Sequence, residues 1–110
     1  MLYDPNYAER QKRRERARIY EAAADVIQKR GHAKHVLQDE KGRVCLFGAI
    51  NVVINGHAGI YTSYTQDMVI TEDLRQFTHG WRPVTWNNAP ERTQRQVVSM
   101  LRRAAKALAD

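Results

Sequence analysis

The only long apolar run in the chain limits its possible folds more than any other feature. Residues 46–54 read LFGAINVVI, with one asparagine as the single polar side chain and a glycine nearby on either side. A segment that is apolar on nearly every side is expected inside a protein, with other elements packed around it. It is also too short for a transmembrane helix, which takes about 20 apolar residues. The run therefore predicts a buried central helix that begins at Cys45 or Leu46 and ends at Asn55.

Two amphipathic segments are predicted to pack as helices around this core. The first runs from about Ala8 to Arg30, and Gly31 ends it. The second runs from Thr93, which opens a capping box, to about Ala109. Their apolar positions follow helical spacing: Tyr20, Ala23, Ala24 and Ile27 in the first, and Val97, Leu101, Ala104, Ala105 and Leu108 in the second.

Weaker local signals predict the remaining elements. Two short runs flank the turn sequence DEKG and predict a small β-hairpin in which Gln38 pairs with Arg43. Residues 57–66 are rich in Gly, Thr, Ser and Tyr, which is typical of a loop. A short helix is predicted to begin after the N-cap Thr71. Residues 81–86 are predicted to be extended, because a proline interrupts them.

These elements together predict a mainly α fold. We expect a compact single domain over residues 1–110, made of three main helices plus a short helix, with a small β-hairpin preceding the buried central helix. The apolar spacing of the first helix begins only at Ala17. Residues 1–18 are therefore expected to form a basic helical extension that protrudes from a packed core of residues 19–110.

The charge of the chain suggests an anionic partner. The net charge is +6, with 18 basic and 12 acidic side chains, and residues 32–80 carry a net charge of −1, so the basic character lies at the two ends. This layout suits nucleic acid, or serves solubility alone. A solvated helix face is the simpler interpretation, because basic runs are a weak motif and no aromatic residues are interleaved with them. The candidate nucleic-acid contacts are Arg10, Arg13, Arg14, Arg18, Arg95, Arg102 and Arg103.

Cys45 is the only cysteine and the sharpest candidate for chemistry. At a helix N-terminus the dipole stabilises a thiolate, which raises its nucleophilicity. A catalytic thiol also needs a histidine, and His35 reaches it if the hairpin pairs one residue out of register. The simpler interpretation is that Cys45 is a small buried hydrophobic residue. The four histidines have no cysteine pair or HExxH motif beside them, so the sequence predicts no metal site and no cofactor.

The cysteine content and the N-terminal residues predict a cytoplasmic location. A lone cysteine excludes an internal disulfide and fits a reducing compartment. The first residues are polar and then strongly basic, without the apolar centre of a signal peptide. We therefore expect a cytoplasmic protein with no membrane association.

Several motifs occur in a fixed order: Gly31, then GRVCLFGAI at residues 42–50, then WNN at residues 86–88, and RT at the start of the last helix. They resemble an uncharacterised family of short proteins from actinobacteria and the phages that infect them, whose shared marks are GW, GRVCLxGA[IL], WND and R[TS]. The resemblance covers residues from about 20 to 108. The chain differs at His32, where the family usually has Trp, and at Asn88, where Asp is usual. The resemblance implies an actinobacterial or phage source and carries no assigned activity.

The sequence favours a non-enzymatic accessory or interaction protein that acts on a host component, with a host protein or nucleic acid as the partner. The second hypothesis is a nucleic-acid-binding protein that uses its basic N-terminal helix. The third is a cysteine-dependent enzyme in which Cys45 is the nucleophile and His35 its partner. No pattern in the sequence specifies the oligomeric state.

Overall fold

A computed structural model describes residues 4–59 and 63–110, which form a mainly α-helical fold as predicted. Within them lie five α-helices and one 3-10 turn: α1 (Tyr7–Arg30), α2 (Leu46–Asn55), α3 (Tyr64–Leu74) followed by the turn Arg75–Phe77, α4 (Pro83–Asn88) and α5 (Gln94–Ala109). No helix among these residues is both long enough and apolar enough to cross a membrane.

The helices α1 and α5 pack against each other in opposite directions. Arg10, near the start of α1, lies beside Leu108 at the end of α5, and Gln28, near the end of α1, lies beside Gln94 at the start of α5. The helical spacing predicted for both segments is confirmed. The buried side chains are Ala17, Tyr20, Ala23, Ala24 and Ile27 in α1, and Val97, Val98, Met100, Leu101, Ala104 and Ala105 in α5.

The predicted central helix is confirmed as α2. It begins after the N-cap Cys45, and Gly56 ends it in the left-handed conformation with φ 86°, where its amide donates to the carbonyl of Val52 at 2.9 Å. Residues 46–51 are buried, whereas Ile54 is 40% exposed. The N-terminal half of α2 therefore lies in the core, and its C-terminal end reaches the surface.

The predicted β-hairpin is wrong. Two isolated bridges replace it among the described residues, one parallel between His32 and Val44 and one antiparallel between Gln38 and Val44. Val44 is fully buried, its amide donates to the carbonyl of Gly31 at 3.1 Å, and its carbonyl accepts from the amide of Ala33 at 2.9 Å. Across the turn, the amide of Asp39 donates to the carbonyl of Arg43 at 2.9 Å and the amide of Cys45 donates to the carbonyl of Leu37 at 3.2 Å. Pairing stops at this one antiparallel bridge instead of extending into two strands, and Gln38 lies opposite a residue one position later than predicted.

The segment after α2 is more helical than predicted. α3 begins at Tyr64, within the stretch predicted as a loop, and Thr71 lies inside this helix instead of at an N-cap. The amide of Gln66 donates to the hydroxyl of Ser63 at 3.2 Å in a capping box. This serine–glutamine spacing explains the earlier start. Residues 60–62 of the predicted loop lie outside the described residues.

The prediction of an extended segment over residues 81–86 is also wrong. Pro83 occupies the first turn of α4, where a missing amide costs nothing and the fixed φ suits a helix. α4 ends at Asn88, and α5 begins after Thr93, as predicted, with a capping box to Gln96. The described residues therefore contain one α-helix more than the sequence predicted.

Candidate functional site

A shallow trough runs along the seam between α1 and α5. It consists of three adjoining surface depressions, and neighbouring depressions share lining residues. Arg102 and Lys106 line both the first and the second, and Arg14 and Ala109 line both the second and the third. The three depressions therefore form one continuous surface feature, which we call the α1–α5 trough.

All seven arginines that the sequence singled out line the α1–α5 trough. They are distributed as follows: Arg95, Arg102 and Arg103 in the first depression, Arg14, Arg18 and Arg102 in the second, and Arg10, Arg13 and Arg14 in the third. The antiparallel packing of α1 and α5 brings these distant parts of the sequence together. Lys106, which the sequence reasoning missed, lies among them.

Arg102 is held in place by acidic groups from α1. It pairs with Glu21 and with Asp25, the latter at 3.0 Å, and donates to the side-chain oxygen of Gln28 at 2.8 Å. The hydrogen bond to Asp25 raises the pKa of the Arg102 guanidinium. Arg102 therefore connects the two helices instead of offering a free charge. Two further ion pairs involve arginines of the trough, Arg10 with Asp4 and Arg18 with Glu15.

The other cations of the α1–α5 trough have no acidic partner among the described residues. No ion pair within residues 4–59 and 63–110 involves Arg13, Arg14, Arg95 or Lys106. All four side chains are exposed. The guanidinium of Arg103 lies over the ring of Phe77, 5.4 Å from its centroid. The ion pairs of the described residues thus leave Arg13, Arg14, Arg95 and Lys106 available to an external anion, although Asp110 lines the same depression as Arg13 and Arg14.

The net charge of the chain is concentrated on the two helices that form the trough. α1 contains eight basic and four acidic residues, and α5 contains four basic and no acidic residues, so each helix carries a net charge of +4. The whole chain carries +6, so the remaining residues together carry −2. The absence of acidic residues from α5 is visible in the sequence, and it is the signal that points to Lys106.

Cys45 is buried at the start of α2, where its thiol acts as a helix cap. Its Sγ accepts a hydrogen bond from the amide of Gly48 at 3.3 Å. Burial raises the pKa of the thiol, although this hydrogen bond opposes the shift. The reactive thiolate is therefore disfavoured. His35, the proposed catalytic partner, is exposed, and its amide donates to Oδ1 of Asn88 at 2.9 Å.

The profile of the family of unknown function DUF6197 matches residues 11–107. The chain belongs to this family. The DUF6197 match includes most of both walls of the trough, from Arg13 on α1 to Lys106 on α5. No curated protein and no solved structure matches the chain significantly. Because DUF6197 is a family of unknown function, any activity has to be argued from the geometry.

Within the DUF6197 match, a buried polar cluster is centred on Asn87, which is 1% exposed. Its Oδ1 accepts hydrogen bonds from the amide of Leu46 at 3.1 Å and from Nε2 of His32 at 2.8 Å. Its Nδ2 donates to the carbonyl of Ala33 at 3.2 Å and to Oδ1 of Asn88 at 3.0 Å. This side chain connects α4 to the start of α2 and to the segment after α1, so its role is structural.

A second polar cluster joins α1 to α3 in the DUF6197 chain. The carboxylate of Asp73 accepts a hydrogen bond from the hydroxyl of Tyr20 at 2.6 Å and two from the guanidinium of Arg16 at 2.7 and 3.2 Å. Burial, followed by the hydrogen bond to Asp73, raises the pKa of Tyr20. Among the described residues, no three or more His, Cys, Asp or Glu side chains lie together in a group that could hold a metal ion.

Proposed function

We propose that this DUF6197 protein acts by binding an anionic partner along the α1–α5 trough, and that it is not an enzyme. The observation that carries the proposal is the set of unpaired cations, Arg13, Arg14, Arg95 and Lys106, in one continuous trough. An exposed cation that is not engaged in an internal ion pair remains available to an external anion. A surface of this kind increases the rate at which anionic partners associate.

The state of Cys45 supports a binding function over thiol catalysis. The residue is 6% exposed, its thiol caps α2, and its pKa is raised by burial. Catalytic cysteines lie in accessible, electropositive surroundings that lower the thiol pKa. The environment of Cys45 has the opposite effect, and we therefore assign no catalytic residue.

The motif resemblance supports an actinobacterial or phage setting for this function. The GRVCLFGAI and WNN segments resemble short proteins of actinobacteria and their phages. We infer an accessory protein that folds as a single domain, acts in the cytoplasm and engages a component of the host cell. The positive trough favours a host component that carries many negative charges.

The test compares the wild type with two variants that lose the same charge. The trough variant carries Arg13→Ala, Arg14→Ala and Arg95→Ala, and the matched control carries Lys41→Ala, Arg75→Ala and Arg82→Ala. All six side chains are exposed, and the control positions lie outside the trough. Each protein is immobilised and incubated with actinobacterial lysate, untreated or treated with nuclease, and the bound protein and nucleic acid are quantified.

We expect the wild type and the control variant to capture the same anionic component. The trough variant should capture about tenfold less, and high salt should release the component from the wild type, because charged contacts are screened. Circular dichroism confirms that each variant keeps its helix content. Equal capture by the trough and control variants would show that the trough is not the binding surface.

A further inference from the structure

We propose that the partner is a double-stranded nucleic acid that lies along the α1–α5 trough. The contacts are made to its phosphates and do not depend on base sequence. This assignment rests on the binding function proposed above. Two features of the trough favour this partner: its lining and the spacing of its cations. The lining argues against an acidic protein and against a single strand, and the spacing matches the phosphates of a duplex.

The lining of the trough favours nucleic acid over an acidic protein. Among the described residues, no aromatic side chain and no methionine lines any of the three depressions. Protein interfaces depend on buried aromatic, methionine and arginine anchors near their centre, whereas nucleic-acid interfaces are more polar and much more positively charged. The exposed large apolar side chains of the described residues all lie elsewhere: Tyr7, Val36, Ile54, Met68, Val69, Trp81 and Val84.

The same lining of the trough favours a duplex over a single strand. Proteins that bind single strands stack successive bases on aromatic side chains, with about 1–3 kcal/mol from each base. The part of the chain that the structure describes offers no aromatic side chain in the trough for such stacking, and small residues such as Ala17 and Ala105 line it. A duplex keeps its bases stacked internally and presents only its phosphates and grooves.

The spacing of the cations suits a duplex backbone. On α5, Arg95 and Lys106 are the unpaired cations of one row, on one face and about 16 Å apart along the helix. On α1, Arg13 and Arg14 are the unpaired cations of the facing row of the trough. Duplex DNA carries one negative charge for about every 1.7 Å of its axis. A duplex that lies along the trough therefore offers several phosphates to these rows at once.

The unpaired cations also predict how steeply binding depends on salt. Within residues 4–59 and 63–110, Arg13, Arg14, Arg95 and Lys106 make no ion pair, whereas Glu21 and Asp25 hold Arg102. Four phosphate contacts correspond to a slope of about −3.6 for the logarithm of affinity against the logarithm of salt concentration. Between 50 and 200 mM salt the affinity should therefore fall about 150-fold.

The experiment measures the binding of labelled duplex DNA, duplex RNA and single-stranded DNA of equal length by fluorescence anisotropy. Wild type, the trough variant and the control variant are each titrated between about 50 and 200 mM salt. We expect the wild type to bind a duplex more tightly than the single strand, and to bind a duplex of scrambled sequence with similar affinity. Its affinity should fall with salt concentration along the predicted slope. The ratio of DNA to RNA affinity identifies which duplex form the trough prefers.

The trough variant should bind the duplex at least about tenfold more weakly, with a slope near −0.9, and the control variant should stay within about twofold of the wild type. The slope of the wild type tests the assignment even if a variant fails to fold.

Three outcomes would overturn the duplex assignment: absence of duplex binding at 50 mM salt, tighter binding of the single strand, or equal binding by both variants. If no nucleic acid binds while the trough variant loses an acidic protein from nuclease-treated lysate, the binding function stands and the duplex assignment fails.

Discussion

The side-chain oxygen of Asn87 accepts a hydrogen bond from the amide of Leu46, 3.1 Å away, and so connects α4 to the first residue of the buried helix α2. The first amides of a helix have no partner within the helix. The thiol of Cys45 satisfies another of them, the amide of Gly48. The N-terminus of α2 is therefore stabilised by one side chain from its own segment and one from a distant helix.

We expect Asn87→Ala to destabilise the protein by about 3 kcal/mol. The substitution leaves the buried amide of Leu46 and the carbonyl of Ala33 without this partner, and each unsatisfied buried group costs about 1–3 kcal/mol. Urea unfolding should show a lower midpoint with an unchanged slope. Asn55→Ala, at the exposed end of α2, serves as the control and should change the free energy of unfolding by less than about 0.5 kcal/mol. Similar losses for both variants would contradict the role assigned to Asn87.

Gly48→Ala is expected to destabilise the protein even though alanine is the better helix former. Alanine gains about 1 kcal/mol over glycine in a helix interior. However, a Cβ atom at this position would lie 2.0 Å from the backbone carbonyl oxygen of Leu37, which cannot move aside as a side-chain end does. We expect a net loss of about 3 kcal/mol in the free energy of unfolding, measured in urea.

The control for this prediction is Gly59→Ala. The nearest atom to a Cβ there is a ring nitrogen of His57 at 3.9 Å, which is an ordinary contact. This variant should stay within about 0.5 kcal/mol of the wild type. A stabilised Gly48→Ala variant would mean that helix propensity outweighs the close approach of Leu37.

The helices α1, α2 and α5 could be predicted because their signals are local. Apolar spacing at 3.6 residues per turn, Gly31 and Gly56 at the ends of α1 and α2, and the capping box at Thr93 all act within a few residues. The start of α3 had an equally local signal in Ser63 and Gln66, which the loop-like composition of its surroundings obscured. Pro83 was interpreted as a helix breaker, although the same residue favours the first turn.

The course of the segment before α2 could not be predicted, because distant side chains determine it. Asn87 binds the carbonyl of Ala33, Asn88 binds the amide of His35, and Lys34 donates to the carbonyl of Ala89 at 2.7 Å. These contacts join residues more than 50 positions apart. Local patterns therefore favoured a hairpin, whereas contacts with α4 and the residues after it hold the segment in a different path.

The sequence identified the arginines of the trough but not which of them are free. The i, i+3 pair of Glu15 with Arg18 is local, whereas the pairs of Arg102 with Glu21 and Asp25 require the antiparallel packing of α1 and α5. A list of basic residues therefore overstates the positive charge that an external partner meets.

Tyr20→Phe should destabilise the protein by about 2 kcal/mol. The hydroxyl of Tyr20 donates to the carboxylate of Asp73 at 2.6 Å, and the Asp73 side chain is only 8% exposed. A hydrogen bond to a charged group contributes about 1.5–3 kcal/mol. Thermal or urea unfolding measures the effect, with Tyr7→Phe as the matched control because Tyr7 is 58% exposed. Equal stability of the two variants would show that the Asp73 cluster contributes little.

The thiol of Cys45 should be unreactive in the folded protein. Burial raises its pKa and its Sγ is engaged with the amide of Gly48. A chromogenic disulfide reagent should therefore label it negligibly between about pH 6 and 9, and fully once urea unfolds the chain. The matched positive control is Ser99→Cys, at an exposed position of α5, in the Cys45→Ser background. Rapid labelling of native Cys45 would restore the case for a thiol enzyme.

The free energy of unfolding is expected to decrease as the pH falls below about 6.5, and His32 is the cause. Burial lowers the pKa of His32, nearby Lys34 lowers it further, and the hydrogen bond to Asn87 opposes both. Below about pH 6.5 the unfolded chain binds a proton at this residue that the folded chain does not, so acid favours unfolding. The loss stops growing once the pH falls below the pKa of His32 in the folded protein.

Urea unfolding at intervals between about pH 7.5 and 5 measures this dependence. His32→Gln should flatten the profile, whereas His57→Gln should leave its slope unchanged, because His57 is exposed. The pKa values of Asp4 and Asp39 are lowered from 3.8, so these carboxylates favour the folded state at higher pH. That stabilisation is lost only as the pH falls below 3.8, which is outside this window. If the free energy of unfolding depends equally steeply on pH in His32→Gln, another group causes the effect. If the wild type instead becomes more stable toward pH 5, folding favours the protonated imidazole.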